Sequence, residues 1–203
     1  MLKIEALVLA AGFSSRMPGN KLLLDLNGQK LIHHTLKAVM ASKVSGVTVV
    51  LGHQKEKLRY ELANDKLNLI DNDKYHLGMS TSVKAGIIYL LANKQNMDAV
   101  MIMPGDIPLI KTETINQLLQ VYNTTASSIV VPVHQERRGH PVMFDKSLFQ
   151  DLLLITGDTG AKGVLQKHAQ RVNRVFVNDP GIYSDIDTWE DYRVYCNHAL
   201  SGD

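Results

Sequence analysis

Cysteine is almost missing from this chain: Cys196 is the one thiol in 203 residues. A lone thiol can close neither an internal disulfide nor a cysteine zinc cluster, and it is compatible with a reducing compartment. An excess of one charge is missing too. Lys plus Arg number 22 and Asp plus Glu number 20, a formal net charge of +2, and no basic run occurs. The composition therefore carries no signature of a nucleic-acid binder. No apolar stretch is long enough to cross a bilayer. The start, Met1 to Ala11, superficially resembles a signal peptide. Glu5 interrupts it, however, and Gly12-Phe13-Ser14-Ser15-Arg16 follows without a clear cleavage context, so a cytoplasmic protein is expected. Repeats, low-complexity tracts and long linkers are absent, so a single domain over residues 1–203 is expected. What is present is ordinary for a globular protein: 45% apolar and 21% charged residues, too apolar for disorder.

Apolar segments alternate between two periodicities. Residues 4–10, 46–51 (Gly-Val-Thr-Val-Val-Leu), 68–71, 99–103 and 174–177 read as strands, the first and fourth as buried ones. Residues 31–41, 55–62 and 80–92 read as helices. Thr112 is positioned to cap another helix, in which Ile115, Leu118, Leu119 and Tyr122 share one face. Residues 128–133 and 141–144 flank a polar turn and read as a hairpin at one side of the sheet. Thr188 and Asp191 have the spacing of a capping box for a helix over 188–200. Strands separated by single helices predict an α/β fold, a mostly parallel twisted sheet with helices on both faces and a small antiparallel hairpin. Ligands of such sheets sit beyond the carboxyl ends of the strands. Three segments at such ends are unusual: 10–21, 104–108 and 185–187.

In the first segment, Ala10, Ala11 and Gly12 let a ligand approach the backbone. Ser14 and Ser15 add hydroxyls and amides, and Arg16 and Lys21 add a planar and a compact cation. Such a loop is chemically competent to cradle a triphosphate. It is neither a Walker A loop nor a dinucleotide fingerprint. A plain strand-to-helix turn with solvated Arg and Lys is an equally open reading of the local chemistry. Asp106 follows a strand in Pro104-Gly105-Asp106-Ile107-Pro108, and Asp187 precedes the last helix. Two carboxylates facing a triphosphate suit magnesium, which takes few protein ligands and fills its shell with water and phosphate oxygens. Asp106 also reads as a turn-forming Asx residue, Asp187 as a helix-start charge and Asp185 as a cap or dipole partner.

The pattern Leu9-Ala10-Ala11-Gly12-x-Ser14-x-Arg16-Met17 followed by Lys21 resembles the signature of the MobA-like nucleotidyltransferases. With Gly78-Met79-Ser80-x-Ser82-Val83-x-x-Gly86, Pro104-Gly105-Asp106, Gly139-His140-Pro141-Val142, Gly157-Asp158-Thr159-Gly160-Ala161 and Asp185-Ile186-Asp187-Thr188, the chain resembles the molybdenum cofactor cytidylyltransferases along nearly its whole length. The resemblance implies a Rossmann-like nucleotidyltransferase fold and a nucleotide site formed by Ala10, Ala11, Gly12, Ser14, Ser15, Arg16, Lys21, Ser82 and Asp106. Arg16, Lys21 and Asp106 would be catalytic, and Asp106 and Asp187 would converge on Mg2+. Ser82 would face the base, although capping of the helix explains Ser80 and Ser82 as well. His140, Gly157 and Asp158 would lie toward the acceptor; an ordered turn residue is the plainer reading of His140, and exposed amides at a helix start would make the Gly157 segment an anion site.

Ala-Ala-Gly at 10–12 resembles the cytidylyl branch, which points to CTP. The expected reaction is transfer of CMP from CTP to the terminal phosphate of a molybdopterin-type cofactor, with pyrophosphate leaving and a molybdenum enzyme as a possible client. The alternatives are a related nucleotidyltransferase using GTP or another phosphorylated acceptor, and a non-catalytic accessory protein that delivers a cofactor to a molybdenum enzyme. Neither a nucleic acid nor a membrane is an expected partner.

Overall fold

The computed structural model describes the backbone of residues 2–13, 17, 19–63, 66–125 and 127–201, and side chains among these as far as Cys196. In chain order the strands are β1 (Ile4–Ala10), β2 (Asp25–Leu26), β3 (Gln29–Lys30), β4 (Gly46–Leu51), β5 (Asn68–Asp71), β6 (Ala99–Pro104), β7 (Ile129–His134), β8 (Arg137–Arg138), β9 (Val142–Asp145) and β10 (Val172–Phe176). The helices are α1 (Leu31–Met40), α2 (Lys55–Glu61), α3 (Met79–Asn93), α4 (Thr112–Thr124), α5 (Phe149–Leu154), α6 (Lys162–Lys167) and α7 (Trp189–Ser201), with single 3-10 turns between some of them.

The main sheet runs β10-β7-β9-β6-β1-β4-β5, with β8 paired to β7. The pairs β1–β4, β1–β6, β4–β5 and β10–β7 are parallel, while β9 runs against both β6 and β7. The apolar runs explain the central strands, because a parallel strand covered on both faces has no polar side to show. In β1 the side chains of Ala6, Val8 and Ala10 enter one core and that of Leu7 the other. The first core takes Leu31, Ile32, Leu36 and Val39 of α1 and Ile115, Leu118, Leu119 and Tyr122 of α4. The second takes Val83, Ile87 and Leu90 of α3, Phe149 and Leu152 of α5, and Val164 of α6. The helices thus form two layers around one sheet.

Several sequence expectations are corrected. The antiparallel strand is not peripheral: β9 lies inside the sheet between β6 and β7. Thr112 does not cap α4; its hydroxyl donates to the Ala38 carbonyl (3.1 Å) and Lys111 holds the cap position without a side-chain bond. The last strand starts at Val172, two residues before the expected point, and stops at Phe176. The small hairpin of β2 and β3 was not anticipated, although its turn is Asn27-Gly28, both at positive φ (56° and 79°), the dipeptide best suited to such turns. The remaining boundaries agree within two residues.

The parallel strands β1, β4, β5, β6, β7 and β10 all end at the same edge of the sheet. The loops after them, and the segment leading into β9, therefore share one rim.

Candidate active site

Asp106 stands just past β6. The Gly105 N–H donates to the Leu9 carbonyl (2.9 Å), and Thr35 donates to the Gly105 carbonyl (2.9 Å). The turn is thereby tied to both β1 and α1. The Ile186 N–H then donates to the Asp106 carbonyl (3.2 Å), which draws the segment before α7 against the end of β6. The capping box is as the spacing predicts: the Asp191 N–H donates to Thr188 Oγ1 (3.1 Å) and the Thr188 N–H donates to Asp191 Oδ2 (2.8 Å). Asp191 Oδ2 also accepts from the Asp187 N–H (3.1 Å), which fixes the backbone of Asp187.

These ties bring the two carboxylates to one ammonium. Lys21 Nζ lies 2.5 Å from Asp106 Oδ2 and 2.7 Å from Asp187 Oδ1. Lys21 begins a 3-10 turn (Lys21–Leu23) capped by Asn20, whose Oδ1 accepts from the Leu22 N–H (3.1 Å) and whose Nδ2 donates to the His53 carbonyl (3.0 Å). Burial alone would push the Lys21 pKa down. The charge of Asp106 and the hydrogen bonds from both carboxylates outweigh it, and the net direction is upward, so the ammonium is cationic at neutral pH. Asp185, which the sequence assigned to capping, does not cap α7; Thr188 does. Packing around its carboxyl, then the like charges of Asp187 and Asp106, raise its pKa.

The second oxygen of Asp106, Oδ1, is buried and has no hydrogen-bond partner among the described residues. An ionised carboxylate is an acceptor only, so a buried oxygen without a partner there suits a donor or a cation. Among the described residues no group of three or more His, Cys, Asp or Glu side chains could hold a metal by themselves. A pair of carboxylates suits magnesium, whose remaining ligands are water and phosphate. The residues therefore fit the metal.

On the other side of Asp106, β1 ends in Ala10 and Ala11, both buried, and Gly12, which is exposed. The Ala11 carbonyl accepts from the His53 N–H (3.2 Å). Phe13 follows and lays its ring 4.2 Å from that of His53. Ser14, Ser15 and Arg16 lie outside the described residues. Ser82 is buried on α3, and its hydroxyl accepts from Asn72 Nδ2 (2.9 Å). Asn72 also bonds Thr81 Oγ1 (2.8 Å) and, through Oδ1, the Lys74 N–H (3.0 Å), so it organises the turn between β5 and α3.

Capping of α3 was the alternative reading of Ser80 and Ser82. Neither fills that role: the Met79 N–H donates to Asp158 Oδ1 (2.9 Å) and the Ser80 N–H to the Gly157 carbonyl (3.2 Å). Gly157 and Asp158 thus meet the start of α3 rather than opening an anion site at α6, which begins at Lys162 and has six residues. His140 stands before β9 across a cis peptide bond to Pro141. Its N–H donates to the Ile182 carbonyl (2.6 Å) and its side chain is exposed. Desolvation lowers its pKa, with the charges of Asp106 and Asp185 opposing.

A family description, MobA-like NTP transferase domain, matches residues 6–172. The chain belongs to that family. The bifunctional protein GlmU of Pseudomonas syringae pv. syringae (strain B728a) is 33% identical over 141 residues, 68% of this chain and 30% of that protein. The chain thus spans about a third of the length of the curated relatives it matches. The crystal structure of Rv0371c from Mycobacterium tuberculosis H37Rv superposes with a TM-score of 0.84 at 25% identity, covering 97% of this chain and 98% of that one. A second structure of Rv0371c, a complex with manganese, gives a TM-score of 0.81 at 24% identity, covering 97% and 98%.

Sequence reasoning missed three supports of this MobA-like site. Asn20, in the first motif, was passed over because it carries no charge. Asn72 follows a strand directly, as a turn-organising residue should. Asp179 is 1% exposed; its Oδ2 accepts from the Lys111 N–H (3.0 Å) and Thr114 Oγ1 (2.6 Å), and its Oδ1 from the Gly181 N–H (2.9 Å). The dipeptide Asp179-Pro180 was its available signal. No helix of the described residues is long and apolar enough to cross a membrane.

Proposed function

We propose that the chain is a nucleotidyltransferase that moves CMP from CTP to the terminal phosphate of a molybdopterin-type cofactor. An oxygen of the acceptor phosphate bonds to the α-phosphorus, the bond from that phosphorus to the bridging oxygen breaks, and pyrophosphate leaves with the electron pair. The observation that carries this reading is the meeting of Lys21, Asp106 and Asp187 beside the open Gly12 loop.

Each residue's part follows from its chemistry. The acceptor phosphate is anionic at neutral pH, so no general base is needed, and the protein's work is positioning and charge neutralisation. Gly12 leaves room for the nucleotide to approach the backbone, and Ser14, Ser15 and Arg16 hold the triphosphate. The Lys21 ammonium, whose neighbours keep it protonated, faces the charge that grows at the α-phosphate. Asp106 and Asp187 would hold Mg2+, which supplies neutralisation of the phosphate oxygens when bound. The orphaned Oδ1 of Asp106 supports this assignment, and the manganese complex of Rv0371c is a precedent on the same fold. Ser82, oriented by Asn72, belongs to the base side and His140 to the acceptor side; Gly157 and Asp158 reach the acceptor only through the α3 entrance they hold. The Ala10-Ala11-Gly12 pattern supports CTP over GTP. A molybdenum enzyme would be the client, and the cytoplasm the compartment in which the two meet.

One observation favours a second reading, a different phosphorylated acceptor: several curated relatives that match are GlmU proteins. A cofactor-delivery role without turnover would leave the Lys21–Asp106–Asp187 cluster without a task.

The test is pyrophosphate release from each of four nucleoside triphosphates with magnesium and molybdenum cofactor, with mass spectrometry of the product. CTP with a CMP adduct is the expected result. Asp106→Ala should lower turnover by about 10³-fold with an unchanged thermal transition. Lys21→Ala should lower kcat more than it raises the KM for CTP, because its partner charge develops in the transition state. Full turnover in Asp106→Ala would sink the metal assignment, and a loss confined to KM would sink the role of Lys21.

A further inference from the structure

The rim has a second charged feature, at the ends of β7 and β10. The turn between β7 and β8 places Gln135 and Glu136 at positive φ (46° and 62°), an αL geometry that costs side-chain-bearing residues energy and that glycine would relieve. It delivers Arg137, whose guanidinium carbon lies 4.4 Å from the ring centroid of Tyr183. His134 flanks the same ring at 6.0 Å and donates through Nδ1 to the Val177 carbonyl (3.0 Å). Tyr183 ends the 3-10 turn Pro180–Tyr183, in which Gly181 and Ile182 are buried, so the ring is anchored from behind.

Arg137 and Arg138 are exposed, and among the described residues neither guanidinium is paired with a carboxylate. Among the described residues, the partner of Arg137's side chain is the Tyr183 face. In-sheet position fixes the distance scale. β7 is two strands from β6, through β9, which is about 10 Å along the rim from the Asp106 turn. His140 leads into β9, the strand between them.

We infer that Arg137, stacked on Tyr183 and backed by His134, is a specificity-determining residue that takes a planar conjugated ring bearing negative charge at the acceptor end of the rim. This inference rests on the proposed function only for calling that end the acceptor's. One face of the guanidinium lies on Tyr183, and the side chain is solvent-exposed. A flat ring can stack on the other face while its anionic substituent meets the N–H groups of Arg137. A saturated sugar phosphate offers charge but no flat face. The ledge therefore discriminates between acceptor classes that the phosphate-handling residues treat alike.

Fluorescence titration with pterin-6-carboxylate, a planar anion with its own emission, tests this without turnover. The unaltered protein should bind it saturably, and Arg137→Ala should weaken binding about tenfold. Tyr183→Leu should weaken it too, Arg137→Lys should stay weakened because the flat face is gone, and Arg138→Ala should stay within about twofold, with melting temperatures and CTP binding unchanged. The inference is overturned if the unaltered protein shows no saturable binding, if Arg137→Ala binds normally, or if inorganic phosphate or a hexose 1-phosphate displaces the probe at equal concentration. If the probe follows the expected pattern while no CMP transfer is found, the proposed function fails and the ledge stands. If transfer is found and the pattern is not, the ledge fails alone.

Discussion

An added methyl group at Gly12 would meet no atom within 4 Å, whereas one at Gly181 would lie 2.3 Å from the Leu109 carbonyl oxygen. The two glycines mark the two flanks of the rim. At Gly181 the absence of a side chain is explained by the protein itself, because the loop before Asp187 must press against the backbone after β6. Gly139 repeats this, with a methyl 2.3 Å from the Ile182 carbonyl oxygen. At Gly12 no atom of the described residues and no positive φ demands glycine. The β7–β10 flank is closed by its own packing, whereas at Gly12 the described residues leave space.

The comparison breaks most visibly at Gly181. Gly181→Ala should cost about 3 kcal/mol in a denaturant melt, since rigid backbone cannot yield. Gly12→Ala should shift the same melt by less than about 0.5 kcal/mol while weakening nucleotide binding. Equal destabilisation by both substitutions would erase the distinction between the flanks.

A smaller effect is expected at the opposite edge of the sheet, where no ligand role is assigned. Glu5 is buried at the start of β1 and its Oε2 has no partner among the described residues. Burial raises its pKa, with Lys94 opposing. A carboxyl that holds its proton more tightly when folded makes the fold less stable as pH rises from the unfolded value through the folded one. Glu5→Gln should therefore stabilise the protein by about 1 kcal/mol at pH 7, and the gain should vanish below about pH 4. Calorimetry at both pH values reads this; a gain that persists in acid would show that charge is not the cause.

A stability effect of similar size belongs to the cap that positions Asp187. Thr188→Ala should cost about 1 kcal/mol. Because Asp191 also holds the Asp187 N–H, it should lower turnover more than a remote cap loss would. Unchanged turnover with lost stability would separate the helix from the site.

Much of the scaffold was legible because burial writes periodicity into sequence. β1, β4, β5 and α3 are apolar runs or stripes with few competing readings. The Thr188–Asp191 box was legible because it is local. Thr112 misled because a cap preference competes with any nearby acceptor, here the Ala38 carbonyl, which only packing supplies. The hydrogen bond that Asp158 makes was hidden for a similar reason. Asp158 caps a helix that begins 79 residues before it in the chain, and spacing cannot reveal such a partner.

Residue order alone determined the alternation of strands and helices, the small-residue loop after β1, and the presence of acidic turns near two strand ends, since these depend on local propensity and on which side chains water rejects. Tertiary structure decided that β9 enters between β6 and β7, that Asp179 pins one flank, and that Asp106, Asp187 and Lys21 share one point. Those outcomes depend on hydrogen bonds and charges between segments far apart in the chain, such as the 166 residues between Lys21 and Asp187, and proximity of that kind exists only once the sheet has formed.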